Sequence, residues 1–245
     1  MHSVQNSNTF LAYYNQIDKY LSHVLTLTTF VSYGEKIAKI ADGKYAVSPF
    51  VRLYQNKLRY FGDLRNQLVH GFSMDEKHYV VASDYAVEQI QQVYLQLTKP
   101  KTVWSLFKRA VYTCTLHDPL KTVITTMRKE LNTHVPVYDA AGVFVHMLSE
   151  STIAYRIADQ IDAGGDIHSE DVVVGDIPLQ NTNDLFVFVE EEKSIYEIDA
   201  LFTHHMEQKK RLGAVFITKT GRVEEPIEWI ITAMDLPKVE DTLIL

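Results

Sequence analysis

Apolar positions Phe10, Tyr13, Tyr14, Ile17, Leu21, Val24 and Leu25 recur at intervals of three and four, the spacing of one buried helical face. A second helix is predicted from Phe30 to Ile40, stopping near Asp42-Gly43. Ser48-Pro49 then reads as a hydroxyl N-cap followed by proline at the first helical position. The third helix it opens carries Phe50, Leu53, Tyr54, Leu58, Phe61, Leu64, Leu68 and Val69, and Gly71 is placed to end it. After a strand-like Tyr79-Val80-Val81, Ser83 or Asp84 caps a fourth helix with Val87, Ile90, Val93, Tyr94 and Leu97 inward. A four-helix bundle over residues 1–100 is the simplest packing.

Thr98-Lys99-Pro100-Lys101 breaks this pattern, and short Val-, Phe- and Tyr-rich strands alternate with helices beyond it. A repeat is visible there. A helix opening at Asp118-Pro119-Leu120 is followed by strand Val135–Tyr138, a turn at Ala141-Gly142, strand Val143–Leu148 and a helix from Thr152 to Gln160. The order recurs as strand Leu185–Val189, helix Ser194–Met206, strand Ala214–Ile217, a turn at Gly221, strand Ile227–Ile231 and a turn at Asp235-Leu236-Pro237. Each copy is too small to bury a robust core alone, so the two are expected to pack together. The fold class is α+β: a helical bundle over 1–100, a first β-α-β-β-α repeat over 101–168 and a second over 169–245.

Composition narrows the function. With 46% hydrophobic and 22% charged residues in 245, the chain is globular, and a single cysteine, Cys114, excludes an internal disulfide and any cysteine-built metal centre. No apolar run approaches the roughly 18 residues of a spanning helix. Met1-His2-Ser3-Val4-Gln5-Asn6 lacks a basic stretch followed by an apolar one, so a cytoplasmic location without membrane contact is expected. The net charge of −7 disfavours a nucleic-acid backbone as partner for the whole molecule. It is uneven: ten Lys/Arg face eight Asp/Glu over residues 1–100, and fourteen face twenty-three thereafter.

The repeated unit resembles the cystathionine-beta-synthase (CBS) domain, which occurs in tandem pairs called Bateman modules. The likeness is carried by Val135-Pro136-Val137-Tyr138-Asp139-Ala140-Ala141-Gly142, by Gly213 to Gly221, and by Trp229-Ile230-Ile231-Thr232-Ala233-Met234-Asp235-Leu236. It implies an adenosine nucleotide bound in a cleft between the copies, beside a Ser/Thr followed three residues later by Asp. Thr232 and Asp235 match that pattern. A carboxylate accepts two bonds at once and so can grip the paired hydroxyls of a ribose, while Thr232 offers a hydroxyl and a backbone N–H to phosphate. The strand edge at Phe188 could hold adenine, and Lys210 and Arg211 could meet phosphates. The alternative is that Asp235 merely caps a short terminal helix and Thr232 is an ordinary strand residue. In the first copy Ser149 and Thr152 occupy the matching places, and a hydroxyl cannot replace the bidentate carboxylate. That half-site is expected to be weak or empty, with His134, Arg128 and Lys129 as candidates to line it.

Arg65-Asn66-Gln67-Leu68-Val69-His70-Gly71 resembles the Arg-Asn-x-x-x-His signature of HEPN domains, many of which are metal-independent ribonucleases acting as dimers. At 100° per residue Asn66 and His70 share a helix face while Arg65 lies about 140° from His70, which implies a site completed by a second chain. In that role His70 would be the general acid or base, Arg65 would hold the phosphate and Asn66 would orient them. The alternative is that the Arg/His pair simply stabilises the negative end of the helix dipole.

The expectation is therefore a dimeric regulatory protein that senses AMP, ADP, ATP or a cyclic di-adenylate and passes the signal to the helical domain, which recruits a protein or RNA partner. No cofactor is required, and magnesium would enter only on a bound nucleotide, helped by Glu190-Glu191-Glu192 if these are more than a solvated turn. A nucleotide-gated ribonuclease using Arg65 and His70 is the rival, and a structural dimer without ligand is the third reading. His117, His168, His204 and His205 lack the spacing and carboxylate partner of a zinc site, and no metal centre is expected. Lys99, Lys101, Lys108 and Arg109 form a modest basic patch, read as a linker face.

Overall fold

The structure is a computed structural model that describes residues 2–70, 80–106, 110–163, 172–180 and 184–237. Gly71, Tyr79, Lys108, Arg109 and His168 lie outside the described residues. Two compact units divide the chain: one holds Met1–Lys101, Ser194–Ala200 and Pro237–Leu245, the other Thr102–Lys193 and Leu201–Leu236.

The first unit is built on four helices, α1 (His2–Val24), α2 (Tyr33–Asp42), α3 (Ser48–His70) and α4 (Asp84–Thr98). Phe10, Ile17 and Leu21 of α1 are buried, as are Ile37 and Ile40 of α2, Phe50, Leu58 and Phe61 of α3 and Ile90, Val93 and Leu97 of α4. Three local expectations change. Helix α2 starts at Tyr33 because the Ser32 hydroxyl accepts the Glu35 N–H at 3.3 Å, which leaves Phe30 outside the helix and 94% exposed. The Ser48 hydroxyl accepts from Tyr45 N–H at 3.0 Å and donates to the Ile40 carbonyl at 2.6 Å, so it secures the end of α2 instead of capping α3. Leu53 sits about 140° around the helix from Leu58 and is exposed. Ser83, by contrast, caps α4 through the Ala86 N–H as expected. In the same unit the Tyr196 ring lies 5.7 Å from Phe50, and its hydroxyl donates to the Gln96 carbonyl at 3.1 Å.

The second unit opens on the single-turn α5 (Val103–Leu106) and contains two copies of one topology. The first runs β1 (Cys114–Thr115), α6 (Leu120–Glu130), β2 (His134–Tyr138), β3 (Phe144–Ser149) and α7 (Glu150–Asp162). The second runs β4 (Asp184–Glu190), α8 (Ile195–Glu207), β5 (Arg211–Thr218) and β6 (Trp229–Ile231), closing on a 3₁₀ turn at Ala233–Asp235; the first turns of α8 belong to the other unit. In each copy the first strand pairs parallel with the second and the second antiparallel with the third. Both hairpins turn through a glycine with left-handed φ, 78° at Gly142 and 82° at Gly221, a conformation that costs a side chain dearly. The repeat read from spacing is thus a repeat of backbone geometry.

Cys114, Val123, Met127, Val135, Val137 and Leu148 form the first copy's core, joined by Val174, Ile177 and Leu179. Backbone bonds from Val174 N–H to Asp118 and from Gly175 N–H to Leu116 bind that segment to the first copy, although sequence spacing assigns everything from 169 to the second. The copies meet through Met147, Ala214 and Phe216 with Phe144, Phe186 and Phe188 packed against them.

Candidate functional site

At the end of the second copy Thr232 and Asp235 are joined. Strand β6 is extended through Thr232 (φ −119°, ψ 172°), and the chain then turns so that Asp235 Oδ2 accepts the Thr232 N–H at 3.0 Å and its hydroxyl at 3.1 Å. Both side chains are half-buried. Capping is therefore part of what Asp235 does, as the simpler reading held. Strand alternation puts Thr232 on the same face as Ile230, and Ile230 packs against the Phe216 cluster, while Trp229 and Ile231 are buried on the opposite face.

Phe188 lies in that cluster, 5.2 Å from Phe144 and 5.3 Å from Phe216 between ring centroids. Its strand, β4, has one neighbour in its sheet, β5, so it is an edge strand among the described residues. An aromatic wall and an open strand edge are what a flat heterocycle uses. Lys210 is exposed just before β5. Arg211 is committed elsewhere: its Nε is 2.8 Å from Asp184 Oδ1.

The matching turn of the first copy is closed. Ser149 is 1% and Thr152 0% exposed; the Ser149 hydroxyl accepts the Thr152 N–H at 3.2 Å and is 2.9 Å from the Thr152 hydroxyl. Ser151 lies 2.8 Å from Ser149 and donates a very short hydrogen bond to Asp184 of β4. Asp184, 3% exposed, also faces His134 Nε2 at 3.9 Å. That nitrogen is buried with no hydrogen-bond partner among the described residues, while Nδ1 is 2.8 Å from the Thr133 hydroxyl. Burial holds the His134 pKa below its usual value; Asp184 opposes this and Arg211 reinforces it. Gly213 makes the closeness possible, since a Cβ there would come within 2.7 Å of His134 Nε2. Arg128 and Lys129 remain on the surface. Asp184 went unread in the sequence. Its signal is faint: an acid immediately before an apolar strand, at a place where helices and strands often begin.

On α3, Arg65 donates to Asn66 Oδ1 at 3.1 Å and its guanidinium lies 5.9 Å from the Tyr14 ring centroid. Burial and the charge of Asp18 push the Tyr14 hydroxyl up to about 12, against the opposing pull of Arg65, so Arg65 rests on a neutral ring. His70, the last residue of the helix, is exposed.

Other chemistry is thinner. Burial, with Asp118 nearby, pushes the Cys114 thiol up to about 12, which disqualifies it as a nucleophile near neutrality. Among the described residues no group of three or more His, Cys, Asp or Glu is arranged to hold a metal, and Glu190 pairs with Lys193 at 3.7 Å. No described helix is long and apolar enough to cross a membrane. A groove of about 1070 Å³ opens between α1 and α4, lined by Val4, Ala12, Gln16, Tyr13 and Tyr94 among others, but it carries no acid, base or cation.

No family model and no curated protein matches the chain. Similar solved structures include a signal-transduction protein with CBS domains from Burkholderia ambifaria, 21% identical over 56% of this chain and 92% of that one, with a TM-score of 0.42. The CBS domain of a membrane protein from Sphaerobacter thermophilus is 17% identical over 63% and 97% of the two chains, TM-score 0.43. CBSX2 in complex with AMP is 12% identical over 58% and 97%, TM-score 0.41.

Proposed function

We propose that this chain is a regulatory protein whose second unit is a CBS pair that binds one adenine nucleotide, with ribose on Asp235, phosphate at Thr232 and Lys210, and adenine against Phe188. The observation that carries the reading is the turn at the end of β6. It presents a half-buried carboxylate and a hydroxyl on the sheet face that also bears the aromatic cluster. A diol acceptor beside a phosphate donor and an aromatic wall is the chemistry of a nucleoside phosphate. CBSX2 was solved with a ligand of that class; here the support comes from this chain's own residues. Nucleotide would bias the helical unit only to the extent that it binds one arrangement of the pair more tightly than another. The effector would act as a homodimer on a protein or RNA partner.

Thermal shift with AMP, ADP, ATP and cyclic di-AMP tests this. At least one should raise the melting temperature of the wild type, and Asp235→Ala should remove the response; ligand at a hundred times its Kd stabilises by about 2.7 kcal/mol. A flat response to the whole panel would sink the sensor reading.

A second reading is favoured by the Arg65–Asn66 hydrogen bond beside exposed His70 on α3. In it the helical unit is a metal-independent ribonuclease whose dimer brings Arg65 of one chain to His70 of the other. Cleavage of single-stranded RNA in EDTA that vanishes in His70→Ala would support it, and cleavage that survives the substitution would remove His70 from the chemistry.

A further inference from the structure

The closed end of the first copy contains the parts of an anion site. Arg211 brings a guanidinium whose side chain is 64% exposed, so the charge is reachable from solvent. His134 brings a buried Nε2 with no hydrogen-bond partner among the described residues. Ser149 and Ser151 bring hydroxyls at the start of α7, 2.8 Å from each other. One group contradicts the rest. Asp184, an acid from the other copy, sits among them with its carboxylate on Arg211 at one oxygen and on Ser151 at the other. Gly213 makes room for it, since a Cβ there would lie 3.1 Å from the Asp184 Cβ.

A buried carboxylate is costly to desolvate, and the cost is met only where cations and donors surround it. The same surroundings would suit an external phosphate. The closure also matches the sequence of the two copies: the second carries its acid, Asp235, on the turn itself, whereas the first has Thr152 there and receives an acid from β4.

We propose that the first half-site is a latent anion site held shut by an internal ligand, the Asp184 carboxylate, which occupies the place of a phosphate among Arg211, His134, Ser149 and Ser151. The inference deepens the reading of this unit as a nucleotide-binding pair. It explains why that pair takes one nucleotide: the closed half already holds an anion, and like charge turns a second one away. Weakening the internal ligand opens it.

Calorimetric titration of the full chain with inorganic phosphate, and separately with AMP, tests this on the wild type, Asp184→Asn and Ser151→Ala. Asp184→Asn keeps the shape and removes the charge, leaving Arg211 unneutralised; it should bind phosphate at least tenfold more tightly than the wild type. Ser151→Ala removes one hydrogen bond to the carboxylate and should gain a smaller three- to fivefold. Adding Arg211→Gln to Asp184→Asn should erase the gain. Near-ultraviolet circular dichroism of the Trp104–Trp229 pair, in edge contact at 4.6 Å, reports whether each variant keeps its packing. Should Asp184→Asn lose that signal, Ser151→Ala decides the matter. Wild-type phosphate affinity in the packed variants overturns the inference. The AMP arm keeps the two readings apart: phosphate gained while no protein binds AMP removes the nucleotide, and AMP bound by the wild type with no gain in the variants removes the latent site.

Discussion

The two copies end on the same backbone and on opposite chemistry. At Ser149–Thr152 the turn is sealed, with hydroxyl bonded to hydroxyl and both side chains at most 1% exposed. At Thr232–Asp235 the turn is half-buried and carries its own acid. The two corners share their extended-then-turn backbone but differ in sequence, Ser149-Glu150-Ser151-Thr152 against Thr232-Ala233-Met234-Asp235, and the threonine in place of aspartate leaves the first without an acid at that position. The closed corner still has an acid, delivered by β4. Position in the repeat therefore does not tell which carboxylate serves which turn; the packing of one copy on the other does.

The largest effect that would sharpen this contrast is on stability. Asp184→Ala strands Arg211 and leaves Ser151 without its acceptor. Removing one partner of a buried pair costs about 3–5 kcal/mol, and the solvent-reachable guanidinium trims this to about 2–4 kcal/mol. Asp235→Ala should cost only about 1 kcal/mol, the value of a cap. Urea unfolding followed by tryptophan emission measures both. Equal losses would mean that the two acids play the same structural part and that the contrast is an accident of side-chain placement.

Much of the architecture was legible because it rests on local signals. Three- and four-residue spacing marks the helices, and Gly142 and Gly221 mark the hairpins because each needs a left-handed φ. Thr232 and Asp235 were singled out three residues apart, the reach of a turn, but the bond between them was not read. Asp184 was not legible. Its partners include Ser151, 33 residues away, and His134, 50 away, and no periodicity encodes a meeting between elements of different copies. Strand β1 is only two residues long, below what alternation can reveal. Phe30 was read as the start of α2 and Leu53 among the apolar positions of α3, yet both are exposed, since apolar character does not compel burial.

A smaller effect concerns pH. Burial lowers the His134 pKa, so the folded protein favours the neutral ring and the unfolded chain takes up the proton first. The groups facing it are Asp184 from β4, Arg211 from β5 and the hydroxyl of Thr133. The contribution is fully present above the unfolded histidine value, near 6.5, and is lost as pH falls through the window between that value and the lowered folded one. Urea midpoints taken from pH 7.5 to 5 should decline, and in His134→Gln the decline should be shallower. A steeper decline in the variant would reverse the assignment, since it would mean that the protonated ring had been stabilising Asp184.

The smallest effect separates the two turns by their hydroxyls. Ser149→Ala removes the acceptor of the Thr152 N–H and leaves the Thr152 hydroxyl buried at 0% exposure with one partner fewer. An unmet buried polar group costs about 1–3 kcal/mol, so a loss near 1.5 kcal/mol is expected. Thr232→Ala removes a hydroxyl from a half-buried turn where water can replace it, and the Thr232 N–H still reaches Asp235 at 3.0 Å. A loss of about 0.5 kcal/mol follows. If the turn at Asp235 is a ligand site and not a structural staple, Thr232→Ala should weaken the nucleotide response by more than it weakens the fold, whereas Ser149→Ala should leave that response intact at reduced stability. Comparing nucleotide-induced shifts for the two variants reads this directly, and a Ser149→Ala protein that loses its response while Thr232→Ala keeps it would exchange the roles assigned to the two corners.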